Sequence, residues 1–248
     1  MKQYRNYIFD FYGTLVDIRT DEGSMSLWKK LAALYADYGA DYKPSVLKKT
    51  YFKFVLEEEE KLLREGYTNH PEINLDIVFL RLLKEAPKKH ETLFRITDER
   101  EWVLFLSNTF RLLSRKKLKP YKNTVAVLKK LKEGGAGVYL LSNAQKSFTQ
   151  AEIEVTGLAP LFDAVYISSD EGMKKPEPAF MEKLLDEQGL NKEECVMVGN
   201  DLDSDMELAA KCGMDGILLN TFPYSKKDLA AKNTRPVPVI TDIKELVE

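Results

Sequence analysis

The apolar run Tyr7-Ile8-Phe9 stops abruptly at Asp10 and passes through Phe11-Tyr12-Gly13-Thr14-Leu15-Val16-Asp17. Continuous rather than alternating hydrophobicity, ended by an acid and a glycine, predicts a buried parallel strand running into a loop. From about residue 20 to residue 119 the period becomes helical. The stretch 25–38 sets Leu27, Trp28, Leu31, Leu34, Tyr35 and Tyr38 along one stripe, and 46–65 repeats the pattern. The stretches 75–83 and 102–113 predict two more helices, with Pro71 and Pro87 as punctuation. From Pro120 onward helix and strand alternate. Helix 124–131 is closed by Gly134-Gly135 and followed by strands 137–141 and 164–167. Helix 179–188 is closed by Gly189 and followed by strand 195–198, helix 206–212 and strand 216–219. Such alternation predicts an α/β protein, a Rossmann-like parallel sheet with helices on both faces. The expected core is 1–18 with 119–248, interrupted by an all-helical cap over 19–118.

Composition narrows the class. The chain has 248 residues, 44% hydrophobic and 31% charged, enough for one large domain or two modest ones. A formal net charge of −2 gives no bulk attraction to nucleic acid or anionic membranes. Cys195 and Cys212 sit among small apolar residues and read as core thiols. No apolar stretch approaches the ~20 residues of a membrane span, and strand 1 begins at once without a leader pattern. A cytoplasmic monomer or homodimer is the expectation.

Four strands of this sheet end in polar residues that could converge. The first ends at Asp10 and the second at Ser142-Asn143. The third leads to Lys174-Lys175-Pro176-Glu177-Pro178, and the fourth to Gly199-Asn200-Asp201-Leu202-Asp203-Ser204-Asp205. Ligands of open α/β sheets bind beyond the carboxyl ends of the strands. A carboxylate nucleophile there could divide one hard displacement into two easier ones, and its attack on an anion needs a cation alongside.

The set resembles the four motifs of the haloacid dehalogenase (HAD) superfamily, in the branch with a helical cap after strand 1. The resemblance covers the whole chain in order, and residues 10–16 and Lys175-Pro176 are its most specific parts. It implies a hydrolase in which Asp10 is the nucleophile, with Tyr12 and Lys175 completing the catalytic group. Lys175 would neutralise negative charge near Asp10, while Thr14, Ser142 and Asn143 would bind substrate. Asp10, Tyr12, Asn200, Asp201 and Asp205 would form the Mg²⁺ site, and a small phosphorylated metabolite would be the substrate.

Two positions depart from the family pattern. Most phosphatases of the superfamily carry a second Asp two residues after the nucleophile; here Tyr12 stands there. A phenol, with an ordinary pKa of about 10, is a poor base near neutrality. Tyrosine at this place resembles the dehalogenase members, whose departing halide needs no proton. Asn200 stands where the fourth motif usually opens with Asp. An L-2-haloacid dehalogenase working without metal is therefore one alternative, and a phospho-ligand-binding scaffold with little turnover is another. The acids Asp201, Asp203 and Asp205 favour the metal-dependent phosphatase, since crowded carboxylates raise one another's pKa unless a cation is present. Asp203 is better read as part of the first turn of a helix.

Outside the motifs the expectations are structural. The aromatic stripe of 25–38 reads as cap core, and His70 and His90 read as surface residues. The basic run Arg111, Arg115, Lys116, Lys117, Lys119, Lys122 and the acidic run 57–60 read as solvated helix faces.

Overall fold

The computed structural model describes residues 2–91, 94–221, 224–232 and 236–248. The chain begins with β1 (Asn6–Phe9) and β2 (Val16–Thr20). It continues through α1 (Met25–Asp37), β3 (Ala40–Asp41), α2 (Pro44–Glu65), α3 (Leu75–Lys84), β4 (Lys88–Lys89) and α4 (Glu99–Ser114). Next come β5 (Arg115–Pro120), α5 (Thr124–Glu133), β6 (Gly137–Ser142), α6 (Lys146–Val155), β7 (Ala164–Ile167) and the short α7 (Ser168–Glu171). The last third holds α8 (Pro178–Gln188), β8 (Cys195–Gly199), α9 (Glu207–Cys212), β9 (Asp215–Leu219), α10 (Lys226–Lys232) and β10 (Val239–Ile240).

Six strands form one sheet in the order β10-β9-β8-β1-β6-β7, and every pairing in it is parallel. Apolar residues alternate across it. Tyr7 and Phe9 pack with Val127, Leu128 and Leu131 of α5 and Ile153 of α6. Ile8 faces the other way and packs with Phe180, Met181 and Leu184 of α8 and Ala209 of α9. Both faces are thus covered, which explains why these strands are apolar throughout. The order places β1 between β6 and β8, so the chain leaves it to opposite sides. This is the switch point at which an open α/β sheet has its crevice.

The helical block has a core of its own. Trp28, Leu31 and Tyr35 of α1 pack with Tyr51 and Phe54 of α2, Val78 and Phe79 of α3, and Trp102, Leu106 and Phe110 of α4. The boundaries of these helices have local causes. Pro44 opens α2 and Gly66, in the left-handed region, ends it. The side chains of Asn74 and Asp98 cap α3 and α4. The acidic run is not simply a solvated face: Arg81 of α3 pairs with Glu57 at 2.7 Å and Glu58 at 2.8 Å, clamping α2 to α3.

Two elements differ from the sequence reading. Residues 115–120 form a strand, not a helix face, and pair antiparallel with β2. The expected boundaries at 18/19 and 118/119 fall inside this ribbon, where Ile18 faces Leu118. The second is a two-residue antiparallel pair of β3 and β4 within the helical block. Among the described residues, no helix is long and apolar enough to cross a membrane.

Candidate active site

Asp10 is the first residue beyond β1, and its N–H still bonds to the carbonyl of Val198 on β8 at 3.0 Å. Central pairing therefore fixes its Cα. The next turn is tight: Gly13 lies at φ +80°, and a Cβ there would meet the Asn200 amide at 2.7 Å. Thr14 follows, fully buried, and its hydroxyl faces both Asp10 Oδ2 at 3.1 Å and Asn200 Oδ1 at 3.0 Å. On the other side of the carboxylate, Ser142 at the end of β6 donates to Asp10 Oδ1 at 3.2 Å.

Lys175 is the centre of charge. Its Nζ lies 2.7 Å from Asp10 Oδ1, 2.7 Å from Asp205 Oδ1 and 2.8 Å from the Leu141 carbonyl. Burial alone would favour loss of its proton, but the carboxylates of Asp10 and Asp205 outweigh that and hold its pKa above the usual lysine value. Asp205 is 1% exposed, and burial, reinforced by the charge of Asp10, pushes its carboxyl up to about 6 against the pull of Lys175. Its Oδ2 accepts from the Asp201 N–H at 3.1 Å. Its Oδ1 is buried with the ammonium nearby but no aligned hydrogen bond. Space for this acid comes from Gly199, where a Cβ would lie 2.2 Å from the Asp205 carboxyl. Asp10, Thr14, Ser142, Lys175, Asn200 and Asp205, from four strand ends, are thus gathered at one point.

Three of the expected site residues are engaged in other bonds. Tyr12 does not turn its hydroxyl to Asp10. It bonds to Glu152 Oε2 at 2.5 Å and to Thr149 Oγ1 at 2.9 Å, both on α6. Burial pushes this phenol far above its ordinary pKa, which makes it a worse base still. As a metal ligand it could offer only its main chain. Asn143 is not free for substrate: its Oδ1 accepts the Lys175 N–H at 2.8 Å and its Nδ2 donates to the Lys175 carbonyl at 3.0 Å. Asp201 caps the following turn through one oxygen, its Oδ1 accepting the N–H groups of Asp203 and Ser204 at 2.8 Å each. Asp203 is exposed in the first turn that Asp201 caps, as the sequence suggested.

The residue that the sequence reading missed is Glu152. It is 1% exposed and takes Arg111 through both oxygens, at 2.8 and 3.1 Å, and Arg115 at 3.0 Å. Arg111 also lies 5.2 Å from the centre of the Tyr12 ring. Arg111 is therefore a buried ion-pair partner, not part of a solvated face. This network ties α4, α6 and the loop after β1 together. Burial opposes ionisation of Glu152, but the guanidinium groups and the phenol prevail and hold its carboxyl below the ordinary value.

A buried carboxylate, a buried ammonium and a second buried acid meet beyond the carboxyl ends of a parallel sheet, beside a helical block with its own core. The family model for haloacid dehalogenase-like hydrolases matches residues 4–213, and the chain belongs to that family. It is 33% identical over 132 residues to the glyceraldehyde 3-phosphate phosphatase of Methanothermobacter thermautotrophicus, a match covering 53% of this chain and 58% of that protein. It is 34% identical over 92 residues to the acid sugar phosphatase of Staphylococcus aureus, covering 37% and 32%. The chain thus spans little more than half, or less, of the length of the curated relatives it matches. The fold is similar to that of a 2-haloacid dehalogenase from Pseudomonas syringae pv. Tomato DC3000, with a TM-score of 0.67, 17% identity and coverage of 99% and 97%.

Proposed function

We propose that this hydrolase is a Mg²⁺-dependent phosphatase of a small phosphorylated metabolite, acting through an aspartyl phosphate on Asp10. The observation that carries the reading is the second buried acid. With Asp10 and Asp205 ionised around one Lys175 ammonium, the cluster has a formal charge of −1. Such a site repels any anionic substrate unless a further cation joins it.

The residues fit that ion. Asp10, Asp205 and the Asn200 carbonyl oxygen are hard donors, and Asp205 Oδ1 has no aligned hydrogen bond. Among the described residues no three Asp, Glu, His or Cys form a ready cage. Mg²⁺ does not need one, since it keeps several waters and binds through one or two carboxylates plus substrate phosphate. Bound there, it would supply positive charge to the phosphoryl oxygens.

The chain's own residues would act as follows. Lys175 and the Ser142 hydroxyl hold the phosphoryl group against Asp10. An Asp10 oxygen attacks phosphorus as the bond to the leaving oxygen breaks. Water then attacks phosphorus, releasing inorganic phosphate and restoring the carboxylate. The Tyr12 hydroxyl, held by Glu152, is not placed to protonate the leaving oxygen. Substrates whose leaving groups depart as stable anions are therefore favoured. The names of the relatives, glyceraldehyde 3-phosphate phosphatase and acid sugar phosphatase, support a small phosphorylated substrate.

The dehalogenase reading keeps one specific observation in its favour, a tyrosine two residues after the nucleophile. A release assay separates the two. Acetyl phosphate and p-nitrophenyl phosphate are run beside 2-chloropropionate, with Mg²⁺ and with EDTA. Phosphate release only with Mg²⁺ is expected; chloride release in EDTA would establish the dehalogenase instead.

A further inference from the structure

The cap meets the core at a second place, beside the catalytic lysine. Between α2 and α3, Pro71 forms an antiparallel bridge with Met173. The Glu72 N–H bonds to the Gly172 carbonyl at 3.1 Å, and the Lys174 N–H to the His70 carbonyl at 2.9 Å. Two residues past Lys175, the Glu177 carboxylate accepts the Thr68 hydroxyl at 2.5 Å and the Asn69 N–H at 3.2 Å. The turn is closed by the Glu177 N–H on the Lys174 carbonyl at 2.9 Å. The cap therefore holds the four-residue turn containing Lys175 at both ends. The far end of the same cap segment is anchored by buried Gln145, which accepts from the Leu75 N–H and donates to the Ile73 carbonyl, each at 2.8 Å.

We propose that the cap segment 68–73 positions Lys175: seating the cap completes the backbone ladder with 172–174 and fixes the turn that aims the ammonium at Asp10. Thr68 and Glu177 are the positioning residues. This rests on the reading of Lys175 as the cation beside the nucleophile. In the seated state Asp10 is 7% and Lys175 3% exposed, and on this proposal substrate enters while the contact is released. The ladder lies far along the sequence from the β2–β5 ribbon that joins cap to core, so it can part without loss of that connection. Each closure would then restore the lysine together with the exclusion of water. A misplacement of about 1 Å at such a group can cost about a hundredfold in rate, so the coupling would tie turnover to a seated cap.

The test uses the full chain and three variants: Thr68→Val, which keeps volume but loses the hydroxyl; Glu177→Gln; and Thr68→Ser, which keeps the donor. Glu177 makes no side-chain cap to α8, so its substitution does not uncap that helix. Amide hydrogen exchange is followed alongside Mg²⁺-dependent release from acetyl phosphate. In Thr68→Val and Glu177→Gln, exchange of the Glu72 and Lys174 amides is expected to rise about tenfold, with α1–α4 unchanged. Their kcat should fall about tenfold with KM nearly constant, and Thr68→Ser should restore both. Unchanged exchange in both variants, or faster exchange with wild-type kcat, overturns the proposal. If the wild-type chain releases no phosphate, the phosphatase reading fails, and exchange alone decides whether the cap holds the lysine turn.

Discussion

Asn143 grips Lys175 by both sides of its backbone, accepting from the N–H at 2.8 Å and donating to the carbonyl at 3.0 Å. The amide that follows the Ser142 hydroxyl thus fixes the residue whose ammonium reaches Asp10. Asn143→Ala should lower kcat by roughly ten- to a hundredfold while leaving KM within about twofold, because the lost group positions the cation and does not touch substrate. Steady-state kinetics check this. A rise in KM alone would return Asn143 to the substrate-binding role that its position suggests.

Tyr12→Phe separates two roles for the phenol. Its hydroxyl is bonded to Glu152 and Thr149, so turnover of acetyl phosphate should stay within about threefold of wild type. Stability should fall by about 1–3 kcal/mol, since the buried Glu152 loses a donor. Denaturant melts and initial rates measure both. A drop of a hundredfold or more in kcat with little change in stability would make the phenol a proton donor after all.

Glu152→Gln removes the carboxylate that pairs with both Arg111 and Arg115. Breaking a buried pair by deleting one partner costs about 3–5 kcal/mol. The pH dependence follows from the lowered carboxyl. Its folded-state pKa is below the ordinary 4.5, so its contribution is fully present above that value and fades as pH falls through the folded pKa. The wild-type advantage over Glu152→Gln in urea melts should therefore be large at pH 7 and shrink as pH falls below the ordinary carboxyl value of 4.5. An advantage that stays constant across that range would show that the glutamate contributes by packing alone.

Removal of the metal should matter twice over. EDTA should abolish phosphate release, and Mg²⁺ at about a hundred times its Kd should stabilise the chain by about 2.7 kcal/mol. Asp10→Asn should abolish turnover, and Asp205→Asn should lose most of the Mg²⁺-induced shift in Tm. A Mg²⁺ shift of full size in Asp205→Asn would remove that acid from the metal set.

What could be read from the sequence follows from which physics is local. The apolar strands β1, β6 and β8 and the polar residues just beyond them were legible, because burial on both faces writes a continuous apolar run. The ribbon was not: Arg115-Lys-Lys-Leu-Lys-Pro120 carries one aliphatic residue, and its pairing with Val16–Thr20 is a contact across about a hundred positions. Asp201 carries a local signal for its capping role, an acid just before a helical turn. Glu152 had none, because a glutamate on an amphipathic helix looks solvated until Arg111 and Arg115 arrive from another part of the chain. Tyr12 was located correctly in sequence but its direction was set by that same distant glutamate.

Gly199 has no group that can titrate, donate or bind, yet the carboxyl of Asp205 rests where its side chain would be. A single methyl at that strand end would evict the acid from the cluster and leave Lys175 facing Asp10 alone. The electrostatics of this centre are therefore governed by a missing atom, and Gly199→Ala should silence the enzyme as thoroughly as deleting a charge.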